Sequence, residues 1–269
     1  MLEEITLKAA GRDLRMCGTE PRYLRSFNGW DADVSCIYAS AKEIPFGATV
    51  IDVGANIGIL ACSLAVQRPD LTVIAIEPVP PNVECLRRNV AANGLKNVDV
   101  IHAAVSDKSG RVRVNVNGPW SVVMEHGEAE VPAVTLDEFS SRNVGLVKID
   151  VEGWEPYVLA GGRALMAALR PRVLMEWNTG SLMLKHHDPI NFANAVWSAF
   201  DVIETFFEDN PEGIAPSGTD IVMTNITKHR SVTDILMVPK ANFSLPSLES
   251  MIHSPAYLKF MQERIDAKG

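Results

Sequence analysis

Short runs of this chain place chemically capable residues at regular spacing. Asp52-x-Gly54-x-Asn56-x-Gly58 follows the apolar, β-branched run 49–53 and leads into an apolar helical pattern. Gly54 and Gly58 permit a tight turn and leave space where a Cβ would block a ligand. The N–H groups of a helix starting near Asn56 face whatever fills that turn. Glu77, followed by Pro78, ends the apolar run 71–76. That is roughly 20 residues past the glycines, where a carboxylate accepts hydrogen bonds from ribose hydroxyls. A glycine turn alone is equally a plain strand-to-helix connection. Joined to Glu77, it points to a nucleoside-bearing cofactor.

A second group lies downstream: Lys148-x-Asp150-x-Glu152-Gly153, then Glu176-x-Asn178, then His186-His187-Asp188. Carboxylates and imidazoles are the side chains that remove protons from reacting hydroxyls. Asp150 and Glu152 alternate along a strand, and a turn at Gly153 brings Glu152 back toward the pocket. The plainer alternative is an acidic helix start, worth ~0.3–1 kcal/mol. For the paired histidines the alternative is a solvated loop. Asp150, Glu176 and Asn178 offer oxygen ligands for Mg²⁺, but no second carboxylate pair shows clear ligand spacing, so a metal-free site is expected.

The elements that must position these residues alternate in type. Strands are expected at 49–53, 71–76, 98–105, 145–149 and 172–178, with helices at 57–67, 80–93, 155–169 and 191–200 between and after them. Apolar β-branched runs favour buried strands, and Gly and Pro punctuate the turns. Between 110 and 130 the alternation breaks into two short strands, 111–117 and 121–124, around Gly118-Pro119-Trp120. Thr135-x-x-Glu138 reads as a capped helix start. Strands at 202–207 and 234–239 close the sheet as an antiparallel edge, and 209–230 reads as a long loop with a short strand at 221–223. The fold class is α/β: a mostly parallel, doubly wound, Rossmann-like sheet with an antiparallel edge. Residues 1–44 are a cover or lid, with a helix over 34–44 lying on the first strand. Residues 45–240 form the cofactor-binding domain, and 241–269 a surface tail with a terminal helix.

The chain has 269 residues, a hydrophobic fraction of 47% and a net charge of −8. Its pI is about 5.3 and its mean hydropathy +0.06. No basic stripe interleaved with aromatics appears, which argues against nucleic acid as a partner. The four cysteines form no CxxC pair and are expected as reduced thiols. The start of the chain lacks a basic region followed by an apolar core, and no apolar run reaches the ~18 residues needed to span a membrane. A cytoplasmic location without membrane contact is the expectation, and a homo-oligomer is compatible with the composition.

The motifs taken in order, Ile51-Asp52-Val53-Gly54-Ala55-Asn56-Ile57-Gly58, Glu77-Pro78, Thr135-Leu136-Asp137, Lys148-Ile149-Asp150-Val151-Glu152-Gly153 and Glu176, resemble the FkbM family. The resemblance covers roughly residues 45–240, and Lys-x-Asp-x-Glu-Gly is its most specific part. It implies a class I methyltransferase fold and S-adenosyl-L-methionine as cofactor, with the methyl passed to a hydroxyl or carboxyl of a sugar, natural product or related small molecule. Carried onto this sequence, Asp52, Gly54, Asn56 and Gly58 would cradle the methionine half. Glu77 and Pro78 would hold the ribose, Ala103 would meet the adenine through backbone groups, and Asp52 and Asp150 would face the ammonium and sulfonium. The catalytic candidates are Lys148, Asp150, Glu152, Glu176 and His186. Two alternatives stay open: an NAD-dependent oxidoreductase, since Glu77 suits either ribose, and a noncatalytic cofactor-binding module.

Overall fold

The computed structural model describes residues 2–115, 123, 127–229 and 232–254. The chain opens with a hairpin, β1 (Glu3–Ala9) and β2 (Arg12–Gly18), then α1 (Pro21–Ser26), a 3-10 turn and α2 (Cys36–Ala41). β3 (Thr49–Val53), α3 (Ile59–Gln67), β4 (Thr72–Glu77), α4 (Pro80–Ala92) and β5 (Val98–His102) follow. A small sheet of β6 (Ala104–Val105), β7 (Gly110–Val114) and β8 (Ala129–Val134) then precedes β9 (Val144–Ile149), α5 (Glu155–Ala160), α6 (Arg163–Leu169) and β10 (Arg172–Asn178). The rest comprises α7 (Thr179–Leu184), α8 (Pro189–Ala199), β11 (Phe200–Phe207), β12 (Asn210–Gly213), α9 (Gly218–Thr227), β13 (Val232–Pro239) and α10 (Leu248–Ile252).

The main sheet has eight strands in the order β12-β11-β13-β10-β9-β3-β4-β5. From β10 to β5 all neighbours are parallel, and β13, β11 and β12 form an antiparallel edge. β3 is buried along its whole length, as a parallel strand covered on both faces must be. Alternation sends Val50 toward α2 and α3, and Ile51 and Val53 toward the layer of α5, α6 and α8. The chain runs outward from β3 to β5 and returns beside β3 as β9. The crevice at this reversal is where open α/β sheets bind ligands.

Several expectations need correction. The loop expected at 209–230 contains the strand β12 and the helix α9, and 221–223 is helical. Pro211, Gly213, Pro216 and Gly218 hide this helix in the sequence. Ser217 caps it by accepting from the Asp220 N–H, and Ile221 and Val222 bury its inner face. The helix expected over 155–169 breaks at Gly161-Gly162 into α5 and α6, and position 161 is confined to glycine because a Cβ there would lie 2.0 Å from the Ser106 carbonyl oxygen. Strand 98–105 divides after His102, its end turning into the small sheet as β6. The expected strand 111–117 is β7, running from Gly110 to Val114. The turn 118–120 and most of 121–124 lie outside the described residues, although Val123 bridges to Val114. The supposed surface tail is partly core: Leu245, Met251 and Ile252 are buried, and the Arg163 guanidinium donates to the carbonyls of Leu245 and Pro246. Residues 255–269 lie outside the described residues.

Residues 1–44 pack as an apolar unit. Leu7, Leu14, Met16 and Leu24 bury against Ile59, Cys62 and Cys85 of α3 and α4. The helix expected over 34–44 is α2, capped by Ser35, and it lies on the β9 and β10 side of the sheet. All four cysteines are free. Among the described residues no helix is long and apolar enough to cross a membrane.

Candidate active site

At the carboxyl ends of β3, β4, β9 and β10 two adjoining cavities open, of about 180 and 210 Å³. Tyr23, Gly54, Asn56, Asp150 and Glu176 line both.

The glycine turn forms the wall between them. Gly54 has φ +79°, and a Cβ there would stand 1.9 Å from the Asp150 carbonyl oxygen. Its glycine therefore serves the contact between the ends of β3 and β9, as well as any ligand. Gly58, with φ +86°, would drive a Cβ to 2.2 Å from Leu86 Cδ1, so it serves the packing of α3 on α4. The N–H groups of Gly54 and Ala55 both donate to the Ile76 carbonyl at 3.0 Å. Asn56 takes a left-handed φ of +52°, with its Oδ1 accepting from the Ile57 N–H.

Glu77 is 4% exposed and binds this turn from β4. Its Oε2 accepts from the Asn56 N–H at 2.9 Å, and its Oε1 from the Val79 N–H at 3.0 Å and from Asn82 Nδ2 at 3.2 Å. Burial pushes its pKa up to about 7 against the pull of these donors. A carboxylate has about four acceptor positions, so capacity for a ribose hydroxyl remains. Pro78, Ile76, Ala103, Ala104 and Val105 complete this apolar end, and His102 Nε2 lies 3.0 Å from the Pro78 carbonyl.

The other end is carboxylate-rich. Lys148 Nζ pairs with Asp150 Oδ2 at 3.1 Å and with Asp52 Oδ1 at 3.5 Å. Burial alone would lower the Lys148 pKa, but the Coulombic pull of Asp150 and Asp52 holds it above the ordinary range. Burial raises Asp52, with Lys148 opposing. Glu152 has φ +52°, a conformation that costs a non-glycine residue on the order of 1–3 kcal/mol and is concentrated at functional sites. Its Oε2 accepts from Ser181 Oγ at 2.9 Å, and burial with Asp150 nearby raises its pKa. Glu176 is raised well above its ordinary value by burial and by Asp150 and Glu152. One carboxylate oxygen from each of Asp150, Glu152 and Glu176 lies within 4.8 Å of the others. Those oxygens are the set that would reach a cation. Asn178 is not among them, because its side chain caps α7 through the Ser181 N–H at 2.9 Å.

The structure gathers Gly54, Asn56, Glu77, Pro78, Ala103, Asp150, Glu152 and Glu176 around the first cavity, and Asp52 and Lys148 around the second. Gly58 lines neither cavity and acts through packing. His186 is exposed, with φ +60°, and faces neither cavity, because α7 ends before it and turns it outward. Its neighbour His187 is buried beside Tyr157, where burial lowers its pKa to about 4 and keeps it neutral. Four contributors were missed. Tyr23 roofs both cavities, and Trp154 lines the first while stacked on Tyr157 at 3.7 Å. Glu155 accepts from the N–H groups of Val151 and Gly153 and so shapes the Glu152 turn. Asp234 faces Glu176 across β10 and β13. Only Trp154 and Glu155 had a local signal, since they directly follow Glu152-Gly153.

The family model described as the methyltransferase FkbM domain matches residues 52–210. The chain belongs to the FkbM methyltransferase family. Among curated proteins it is similar to the ribosomal RNA small subunit methyltransferase G of Salinispora arenicola, 46% identical over 141 residues, which are 52% of this chain and 51% of that protein. It is also similar to methyltransferase sdnD of Sordaria araneosa, 29% identical over 119 residues, 41% of this chain and 46% of that one. The chain thus spans about half the length of these curated relatives. Among solved structures, methyltransferase FkbM from Methylobacillus flagellatus matches 54% of this chain and 36% of its own, with TM-score 0.42 and 19% identity. TYW2 of M. jannaschii in complex with AdoMet matches 88% and 82%, with TM-score 0.43 and 14% identity.

S-adenosyl-L-methionine is the cofactor of this FkbM-family fold, and the residues present fit it. The adenosyl half has an apolar slot beside the Glu77 carboxylate. The cationic half has Asp52, which is 1% exposed and meets only the Lys148 ammonium, 3.5 Å from its Oδ1.

Proposed function

We propose that this methyltransferase passes a methyl group from S-adenosyl-L-methionine to a hydroxyl or carboxyl oxygen of a small molecule. The observation carrying this reading is that one cavity joins the glycine turn and Glu77 to Asp150, Glu152 and Glu176. Gly54, Asn56 and Glu77 would hold the cofactor, with Asp52 and Asp150 facing its positive groups. When bound, the cofactor supplies a methyl carbon made electrophilic by the sulfonium.

The chain's own residues do the rest. Trp154, stacked on Tyr157, gives the acceptor a flat rigid wall. Glu152, with its pKa raised, takes the acceptor's proton as the new oxygen–carbon bond forms and the carbon–sulfur bond breaks. Lys148, tied to Asp52 and Asp150, fixes those carboxylates. Alignment of reactants is worth ~7–11 kcal/mol. A general base contributes 10²–10⁴-fold, or roughly 3–5 kcal/mol. Positioning therefore dominates, and Glu152 assists.

The ribosomal RNA named in a relative's description raises a nucleic-acid acceptor as the second reading. The net charge of −8 and the carboxylate-lined cavity oppose it, because a phosphate backbone seeks Lys and Arg. Calorimetry with S-adenosylhomocysteine and with NADH tests the cofactor, and the first alone should bind. Methyl incorporation from labelled cofactor into small hydroxylated or carboxylated acceptors, and not into RNA, is the expected outcome. Cofactor binding without turnover on any acceptor would favour the noncatalytic module.

A further inference from the structure

The second cavity gathers more carboxyl groups than the cofactor can answer. Asp52, Asp150, Glu176, Asp209 and Asp234 line it against the single ammonium of Lys148. Asp209 is engaged by the Cys36 N–H and the Trp30 indole. Asp150 Oδ2 and Asp52 Oδ1 share Lys148 Nζ, at 3.1 and 3.5 Å, whereas among the described residues no ion pair reaches Glu176 or Asp234. Glu176 Oε2 is shut off from solvent without a hydrogen-bond donor, and Asp52 has only the Lys148 ammonium, 3.5 Å from its Oδ1. Glu176 and Asp234 are register partners on β10 and β13, so their two carboxyl groups emerge side by side.

Reach decides which ligand meets them. From β3, which carries the glycine turn, to β13 is three strand steps, or ~14 Å at about 4.8 Å each. The cofactor's sulfonium and ammonium are four bonds apart, roughly 5 Å. A cofactor whose ribose sits at Glu77 on β4 ends near Asp52 and Asp150 and leaves Glu176 and Asp234 to another molecule. Facing the acids, Tyr23, Phe27 and Trp30 follow one another edge to face, with centroids 5.2 and 5.7 Å apart. Aromatic faces attract cations, more so away from water.

We propose that this chamber binds the protonated amine of the methyl acceptor, making the substrate class a small amino alcohol or amino sugar. Its ammonium lies between Glu176, Asp234 and the aromatic wall, and its hydroxyl reaches Glu152. The inference rests on the methyl-transfer reading above.

The test is titration of the full chain, saturated with S-adenosylhomocysteine, using matched pairs: ethanolamine against N-acetylethanolamine, and glucosamine against N-acetylglucosamine. Acetylation removes the charge but adds an acetyl group, so Asp234→Asn, which leaves the ligand unchanged, separates charge from bulk. At least one amine should bind about tenfold tighter than its acetylated partner, as expected for charge-assisted contacts. Asp234→Asn should erase that preference while S-adenosylhomocysteine affinity stays as in the wild type. Phe27→Leu, outside the strand pairing, should weaken the amine alone. No amine preference in either pair, or a preference unmoved by both variants, overturns the inference. So does a fall in S-adenosylhomocysteine affinity in Asp234→Asn, which would put the cofactor's own tail there. Added MgCl₂ that binds at Asp150, Glu152 and Glu176 and displaces the amine equally overturns it, in favour of a metal. Failure of S-adenosylhomocysteine to bind the wild type would instead strike the methyl-transfer reading itself.

Discussion

The two ends of the site are built on opposite principles. At the β3–β4 end the turn is tied within the protein: Glu77 accepts three hydrogen bonds, Gly54 and Ala55 donate to Ile76, and Gly54 is pressed against Asp150. At the β9–β10–β13 end Glu176 keeps a buried oxygen without a donor and faces Asp234. The first end is shaped before any ligand arrives. The second holds adjacent buried carboxyl groups that a cationic ligand would draw into their ionised form. Unpaired buried carboxylates are costly, so the second end gives up stability for binding and the first supplies the rigidity.

The largest expected effect breaks the rigid end. Gly54→Val puts a Cβ where the Asp150 carbonyl stands and asks a β-branched residue to hold φ +79°. Strain and overpacking together should cost on the order of 2–5 kcal/mol, measured by urea unfolding, along with loss of S-adenosylhomocysteine binding. A variant as stable as the wild type would show that the two strand ends move apart freely.

Next comes Glu152→Gln at the charged end. Turnover should drop by ~10²–10⁴-fold while S-adenosylhomocysteine binds as before, read from single-turnover methyl transfer beside calorimetry. Full activity would make Glu152 only the start of its helix turn and move the base to Asp150.

A smaller effect compares the ends by pH. The folded pKa values of Glu77, Glu155 and Asp234 are raised to about 7 from ordinary values of 4.5, 4.5 and 3.8, in each case chiefly by burial. A raised folded pKa means the folded chain binds more protons in this window. That stability is complete below the unfolded pKa and is lost as pH rises through about 7. The ligand-free protein should therefore melt several degrees lower at about pH 8 than at about pH 5. Asp234→Asn should flatten part of this slope, by relieving the charged end alone. A melting temperature that climbs steadily over the same range would contradict the assignment.

The sequence legibility follows the same division. The glycine turn, Glu77 and Lys148-x-Asp150-x-Glu152 were readable because strand ends in a parallel sheet present short local motifs at one edge. The reason Gly54 must be glycine was not, since the obstructing Asp150 carbonyl is nearly a hundred residues away in the chain. Tyr23 and Asp234 come from opposite ends of the sequence and join the site only through folding of the N-terminal unit and the antiparallel edge. His186 misled because adjacent histidines look catalytic, whereas the end of α7 turns this one outward. The α9 helix was hidden by prolines and glycines that serve its flanks.

The most direct test of the account is titration of S-adenosylhomocysteine into the wild type and Glu77→Ala. Glu77 is the carboxylate that links the turn, β4 and the adenosyl slot, and hydrogen bonds to a charged group are worth about 1.5–3 kcal/mol each. Clear binding to the wild type and an affinity lowered at least about tenfold in Glu77→Ala are expected. Equal affinity in the two proteins, or none in the wild type, would contradict this expectation.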